Sequence, residues 1–458
     1  MTKTVIWGAL CALVLGSSAA AADKDAHVVI ISIDGFAGYL LDDPRAPIPT
    51  VRGLAKAGGF VVGGMKVSNP SVTWPNHTSI VTGVRPEKHG VLANGVLVRG
   101  AVNVPVSVDP RRDQSDLVRV PTLFDVAHAA GLSTAEINWP CTRGSKSLDA
   151  SFPDVPNAIE HTTPAFRKEL VEAGLLADET DATFNAGHST AGRDLLWTEA
   201  ACRLIRTRKP NLLLLHLLNC DATHHAEGPR SAAGYTANAF ADTLVARVTA
   251  ALDDAGIRDR TTLFVVADHG FTLTPKAVCP NRLLRQEGLL KVDAAGKTTE
   301  AQVNVFPEGG VGLVYCNDPG TVEVDRRRVK ELFSGREGVV EVLEPSQYHE
   351  HGLPHPREYA QSPDLVLVCA DGYAVNADAA GEAWIEQSEK VKTSLGSHGF
   401  LARSAQMNAL CVVAGRGIRP GSSVREAENI DVAPTAARLL GLENFPADGQ
   451  PLQGLLQK

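Results

Sequence analysis

Val28-Val-Ile-Ile-Ser-Ile-Asp34 is a short apolar run that ends in a carboxylate. β-Branched residues dominate it, so it reads as a buried strand beginning near His27 and ending near Ile33. Two further runs share this form. The leucine-rich stretch 212–218 leads, three residues on, into Asp221, and Leu263-Phe-Val-Val-Ala leads into Asp268-His269. Continuous apolar strands of this kind belong to parallel sheets covered on both sides. The carboxyl ends of such strands are where open α/β sheets place their chemistry.

Helix-like segments separate the runs. Residues 47–58 read as a helix, and the segment 68–83 as a loop followed by one. Segments 121–131 and 132–138 form an αβ step, as do 198–208 with 212–218 and 235–256 with 261–267. This alternation predicts an α/β fold, a mainly parallel sheet with helices on both faces. Residues 140–192 are rich in turn formers, while 272–396 are long and carry strand-like runs at 311–316 and 365–369. The expectation is a catalytic core built from 23–271 and 397–458, with an inserted cap subdomain at 272–396. The core resumes at His398, continues through 409–414 and closes with a helix over 430–440.

The 458 residues suffice for a large core, and 44% hydrophobic with 21% charged residues is ordinary for a globular enzyme. A net charge of −8 without a basic stripe argues against a nucleic-acid polymer as partner. A small anionic substrate is compatible with that charge, because a bound cation reverses the local field. Lys3, the apolar stretch 5–15 and the alanine cluster 19–22 read as a signal peptide over 1–22. The apolar stretch is too short for an ordinary membrane span, and no lipid-anchor cysteine follows it. A periplasmic or secreted protein without a stable membrane anchor is expected. Seven cysteines remain after the signal, and those beside apolar runs, such as Cys369 and Cys411, suit the core better than a bridge. No Cys-x-x-Cys pair points to a thiolate zinc site.

Asp34, Thr73, Asp221, His225, Asp268, His269 and His398 can be read together as a two-metal site with a nucleophile. Two ions about 4 Å apart clamp the entering and leaving oxygens of a phosphoryl transfer. Thr73 stands two residues before Pro75, which suits the first turn of a helix. Alone, such a threonine reads as a helix N-cap; beside a metal ion its hydroxyl becomes a nucleophile. Asn94, 21 residues further on, can donate an amide hydrogen to a phosphoryl oxygen. His225, four residues after Asp221, would by itself read as helix-surface pairing.

These residues sit in a larger ordered set. It comprises Ile33-Asp34-Gly35-Phe36, Pro70-Ser-Val-Thr73-Trp-Pro-Asn-His77 and Thr82-Gly-x-x-Pro-x-x-His89-Gly. Asp221 and His225 with Gly228-Pro229 follow, then Ala267-Asp-His-Gly-Phe271, Gly396-Ser-His-Gly-Phe400 and Asp431-Val-Ala-Pro-Thr-Ala-Ala-Arg-Leu-Leu-Gly441. The set resembles the nucleotide pyrophosphatase/phosphodiesterase branch of the alkaline phosphatase superfamily. The resemblance implies an alkaline phosphatase-like core and two Zn2+ ions, one held by Asp221, His225 and His398, the other by Asp34, Asp268, His269 and the Thr73 oxygen. Manganese or iron also suits these ligand types. It further implies hydrolysis of phosphodiester or pyrophosphate bonds in a small phosphate ester, through a phosphothreonine, with Thr73 and Asn94 catalytic and Trp74 and Asn94 contacting substrate.

Departures from the pattern bear on substrate. Nucleotide-selective members tend to carry a base-stacking tyrosine five residues before the metal aspartate, and here that place is His216, with Leu218 and Asn219 where acidic residues are usual. Trp74 offers an alternative apolar wall. His224, beside His225, replaces a small residue and is open to a role as ligand, second layer or surface group. Sulfatases of the superfamily need a modifiable Cys or Ser and an arginine, and Thr73-Trp-Pro-Asn-His has neither. A phosphomonoesterase needs extra cations, for which Arg143 and Lys146 are the candidates, although a surface loop suits both. A phosphonate hydrolase uses the same apparatus. A non-catalytic zinc-binding protein is the remaining alternative, and it has no need of Thr73 or Asn94.

Overall fold

The computed structural model describes residues 22–177, 180–391 and 394–458. The expected signal peptide lies outside the described residues apart from Ala22. An eight-stranded sheet forms the core, in the order Ser422–Val424, Gly59–Val61, Cys411–Gly415, Thr261–Val266, His27–Ile33, Leu212–Leu217, Thr134–Pro140, Ala150–Asp154. His27–Ile33 lies between Leu212–Leu217 and Thr261–Val266 and is parallel to both. Cys411–Gly415 runs antiparallel to its two neighbours, so the sheet is mixed but mostly parallel. The α/β expectation holds.

Every residue of His27–Ile33, Leu212–Leu217 and Thr261–Val266 is buried. Successive strand side chains point to opposite faces, so both faces of the sheet are covered. Helices Pro49–Ala57 and Thr190–Thr207 each pack on Ala232–Asp254, and Thr73–Thr82, Leu123–Ala129 and Val432–Leu439 form a second group. Helix ends differ from expectation by a few residues, except that Thr190–Thr207 begins eight residues before the expected 198. Strand Ala150–Asp154 falls within the stretch expected to be turn-rich. Its Pro153 is tolerated because the strand closes one edge of the sheet, where a missing N–H costs no ladder bond.

Residues 272–396 add no strand to the central sheet among the described residues. They build a separate antiparallel sheet in the order Val303–Glu308, Val311–Cys316, Leu365–Cys369, Val339–Leu343. The two ends of the segment pair with each other, Thr272–Leu273 against Gly396–Ser397. The segment also docks on the residues around the Thr73 helix. Tyr359 Oη donates to Gly90 O at 2.6 Å, Asn69 Nδ2 donates to His351 O at 3.1 Å, and Gly310 N donates to His398 O at 2.8 Å. The seven described cysteines are all buried and free.

Candidate metal centre

Each expected site residue arrives from a defined element. Asp34 follows strand His27–Ile33, and its N–H donates to Leu217 O on the next strand at 2.9 Å. Asp268 and His269 follow Thr261–Val266. Asp221 and His225 lie one turn apart on helix Asn219–Glu227, which places them on one face. His398 follows the short strand Gly396–Ser397. Gly399 then turns the chain with φ of 78°, where any added Cβ would lie 1.7 Å from Glu308 O. Glycine is required there.

The side chains converge. His269 Nε2 lies 3.2 Å from Asp268 Oδ2 and 3.4 Å from Asp34 Oδ1. His225 Nε2 lies 3.4 Å from Asp221 Oδ1, and His398 Nε2 lies 3.7 Å from the same oxygen. The two groups adjoin, for the His269 and His398 rings stack with centroids 3.7 Å apart. Ligand atoms of Asp34, Asp268 and His269 lie within 4.8 Å of one another, and so do those of Asp221, His269 and His398. His269 therefore stands at the junction of the two sets, closest to Asp268 and Asp34.

These contacts are not ordinary ion pairs. Nδ1 of His225 faces Gly396 O at 2.9 Å, that of His398 faces Ser71 O at 2.9 Å, and that of His269 faces Gly270 O at 3.1 Å. A carbonyl only accepts, so Nδ1 carries the proton and each neutral ring presents a lone pair at Nε2. Lone pairs and carboxylate oxygens thus point at one another. Asp34 Oδ1, Asp221 Oδ1, Asp268 Oδ2 and His269 Nε2 are buried without a hydrogen-bond partner. Such orphaned acceptors are costly unless a cation gathers them. Burial, then the Asp221 charge, holds the Asp34 carboxyl well above the usual range, and burial, then Asp34, does the same to Asp268. Burial, then His225, lowers His398 to about 4, and burial, then His398, lowers His269 well below the ordinary value. Burial thus favours the neutral, ligand-competent form of His269 and His398.

Thr73 is the first residue of helix Thr73–Thr82, and its hydroxyl caps no backbone amide. Asn94 takes that capping role from a distant loop. Its Oδ1 accepts from Trp74 N at 2.9 Å, which orients the exposed amide and leaves Nδ2 as donor beside Thr73. Trp74 itself is 5% exposed, packs with Val91, Leu117, Cys141 and Val155, and donates from Nε1 to Asp154 Oδ2 at 3.1 Å. Arg143 pairs with Asp113 at 2.8 Å, and Lys146 is exposed.

A supporting layer lies beneath. His216 is fully buried, with Nε2 on Asp34 Oδ2 at 3.0 Å and Nδ1 on Asn138 O at 2.9 Å. It faces the carboxylate rather than a substrate base, because its strand position points into the sheet layer. His77 Nδ1 donates to Thr73 O at 2.9 Å and lies 3.5 Å from Asp268 Oδ2. His224 is buried, donates from Nδ1 to Gly35 O at 3.3 Å, and leaves its buried Nε2 without a partner. Asp194 bonds the N-terminus of the Asp221 helix. Asp194 and Asp154 stand in no motif that marks them for this role. His77 had a visible signal, a helical spacing of four from Thr73. His216 was the one polar residue in a leucine run.

A family model described as type I phosphodiesterase / nucleotide pyrophosphatase matches residues 28–401. Venom phosphodiesterase CdcPDE of Crotalus durissus collilineatus is 23% identical over 438 residues, covering 93% of this chain and 46% of that protein. Human ectonucleotide pyrophosphatase/phosphodiesterase family member 1 is 23% identical over 432 residues, covering 92% of this chain and 40% of that protein. The chain thus spans about half the length of the curated relatives it matches. The structure of murine ectonucleotide pyrophosphatase / phosphodiesterase 5 superposes with a TM-score of 0.69 at 18% identity, covering 94% of this chain and all of that one. An inactive variant of that protein was solved in complex with AMP.

Proposed function

The chain belongs to the type I phosphodiesterase / nucleotide pyrophosphatase family, and we propose that it hydrolyses a phosphodiester or pyrophosphate bond through a phosphothreonine on Thr73. The observation that carries this reading is the convergence of ligand-type atoms from Asp34, Asp221, His225, Asp268, His269 and His398, four of them buried without a partner, against the backbone that carries Thr73. The donors fit two divalent cations, and nitrogen and oxygen ligands without thiolate suit catalytic zinc. Bound there, the cations supply Lewis-acid activation of the hydroxyl and charge at the leaving oxygen.

The protein's own groups do the rest. Thr73 Oγ1 attacks phosphorus at the positive end of its helix, and the bond from phosphorus to the leaving oxygen breaks. Asn94 Nδ2 donates to a charged equatorial oxygen. Water then attacks the phosphothreonine and restores the hydroxyl. His77 and His398 hold the backbone on either side of Thr73 through Thr73 O and Ser71 O. The substrate is a small phosphate ester. The signal-like sequence of residues 1–22 and the names of the venom and ecto relatives support a reading of export to the periplasm or beyond, and no described helix is long and apolar enough to cross a membrane.

The test is metal-dependent release of nitrophenolate from bis-p-nitrophenyl phosphate. Turnover is expected to vanish with chelator, to return with zinc, and to fall roughly a thousandfold or more in Thr73→Ala. Chelator-resistant turnover removes the metals from the reading, and a Thr73→Ala enzyme of wild-type rate removes the phosphothreonine.

A further inference from the structure

Helix Asn219–Glu227 carries two of the six converging ligands, yet it has no capping side chain of its own. Leu218 occupies its N-cap position, and its side chain offers no capping hydrogen bond. The exposed amides of a first turn must be satisfied from somewhere. Asp194, on helix Thr190–Thr207, reaches across to do so: Oδ1 accepts from Leu218 N at 2.8 Å and Oδ2 from Asn219 N at 2.9 Å. Asp194 is 1% exposed, so water cannot stand in for it. Asp221 is the third residue of the helix thus held, and His225 lies one turn further on. The same device occurs elsewhere in the fold. Asp242 accepts from Thr50 N at 3.0 Å and Val51 N at 2.8 Å, closing the N-terminus of helix Pro49–Ala57, which bears no site residue.

We propose that Asp194 is a positioning residue for the cation held by Asp221, His225 and His398, acting through the helix it caps. The proposal rests on the two-metal reading. Removing the carboxylate strips the amides of Leu218 and Asn219, two partly buried residues, of their acceptor. The first turn then loosens where Asp221 stands, while Asp34, Asp268 and His269 are supported by other strands. The loss of affinity is therefore selective for one of the two ions.

The experiment is a zinc titration of the metal-stripped protein against a chromophoric chelator, without substrate. It compares wild type with Asp194→Ala, Asp194→Asn, Asp242→Ala and His225→Ala. Wild type is expected to take up two ions. Both Asp194 variants should bind one of them about 10- to 100-fold more weakly, the usual effect of losing a group behind a ligand. The other ion should bind as before. Asp194→Asn keeps the side-chain size and one acceptor oxygen, so it reports on the bond if the alanine variant does not fold. In the background of His225→Ala, Asp194→Asn should cost little further affinity, since both act on one ion. Asp242→Ala should lose stability and keep both affinities, which separates positioning from general destabilisation. Equal affinities in wild type and Asp194→Asn, or an equal loss in Asp242→Ala, overturn the proposal alone. A wild type that binds no ion overturns the two-metal reading beneath it.

Discussion

His216 Nε2 lies 3.0 Å from Asp34 Oδ2, so the carboxylate at the head of the first strand is gripped from beneath. The grip leaves Oδ1 as the atom facing His269. His216→Phe keeps a flat ring and removes the bond. It should weaken the ion held by Asp34, Asp268 and His269 about 10- to 100-fold. It should not change the ratio of kcat/KM for nucleotide and non-nucleotide diesters, because the ring is fully buried and faces Asp34. A changed ratio, measured on paired substrates, would restore a base-recognition role to this position.

His398 joins two jobs, since Nε2 faces Asp221 and Nδ1 holds Ser71 O in the loop before Thr73. His398→Ala should lower the bound metal from two ions to about one by elemental analysis, and should depress kcat as well. Retention of two tight ions would remove His398 from the ligand set.

Diesters should be preferred over monoesters. A dianionic monoester needs cationic side chains in the site, and the candidate Arg143 is already paired with Asp113 while Lys146 is exposed. The comparison is kcat/KM for bis-p-nitrophenyl phosphate against p-nitrophenyl phosphate. A monoester preference that disappears on replacing Arg143 or Lys146 would place those residues in the site.

Glu136 is buried in the sheet, where it accepts from Trp139 N at 2.9 Å and from the Ser151 hydroxyl. Burial pushes its carboxyl from 4.5 up to about 7. The folded chain therefore holds the proton more tightly than the unfolded chain. The stability this gives is full below about 4.5 and is lost as the pH rises through about 7. Glu136→Gln accepts from Trp139 and donates to Ser151, so it keeps both bonds. Relative to wild type it should gain about 3 kcal/mol between pH 4 and pH 8, measured by denaturant unfolding across that range. A pH-independent difference between the two proteins would contradict the assignment.

The buried strands announced themselves because a central parallel strand must be apolar on both faces, and the ligands followed because each stands just past such a run or within a short motif. Edge strands did not, since Ala150–Asp154 and Ser422–Val424 have one neighbour each and mixed composition. The supporting layer was also hidden. Asp194 lies 24 residues before Leu218 and Asn94 lies 20 after Trp74, and no local pattern links a helix to a cap supplied by a remote element. His216 was legible as an oddity in a leucine run, but its direction is a property of the sheet. Its partner Asp34 is 182 positions away.

The segment 272–396 leaves the core at Thr272–Leu273 and returns beside itself at Gly396–Ser397. Its departure lies three residues after His269 and its return just before His398, so both feet of one long excursion adjoin the candidate metal centre. An excursion with adjoining feet can be exchanged whole without rethreading the sheet. The threading of the eight-stranded sheet is therefore independent of what the chain builds between those two feet.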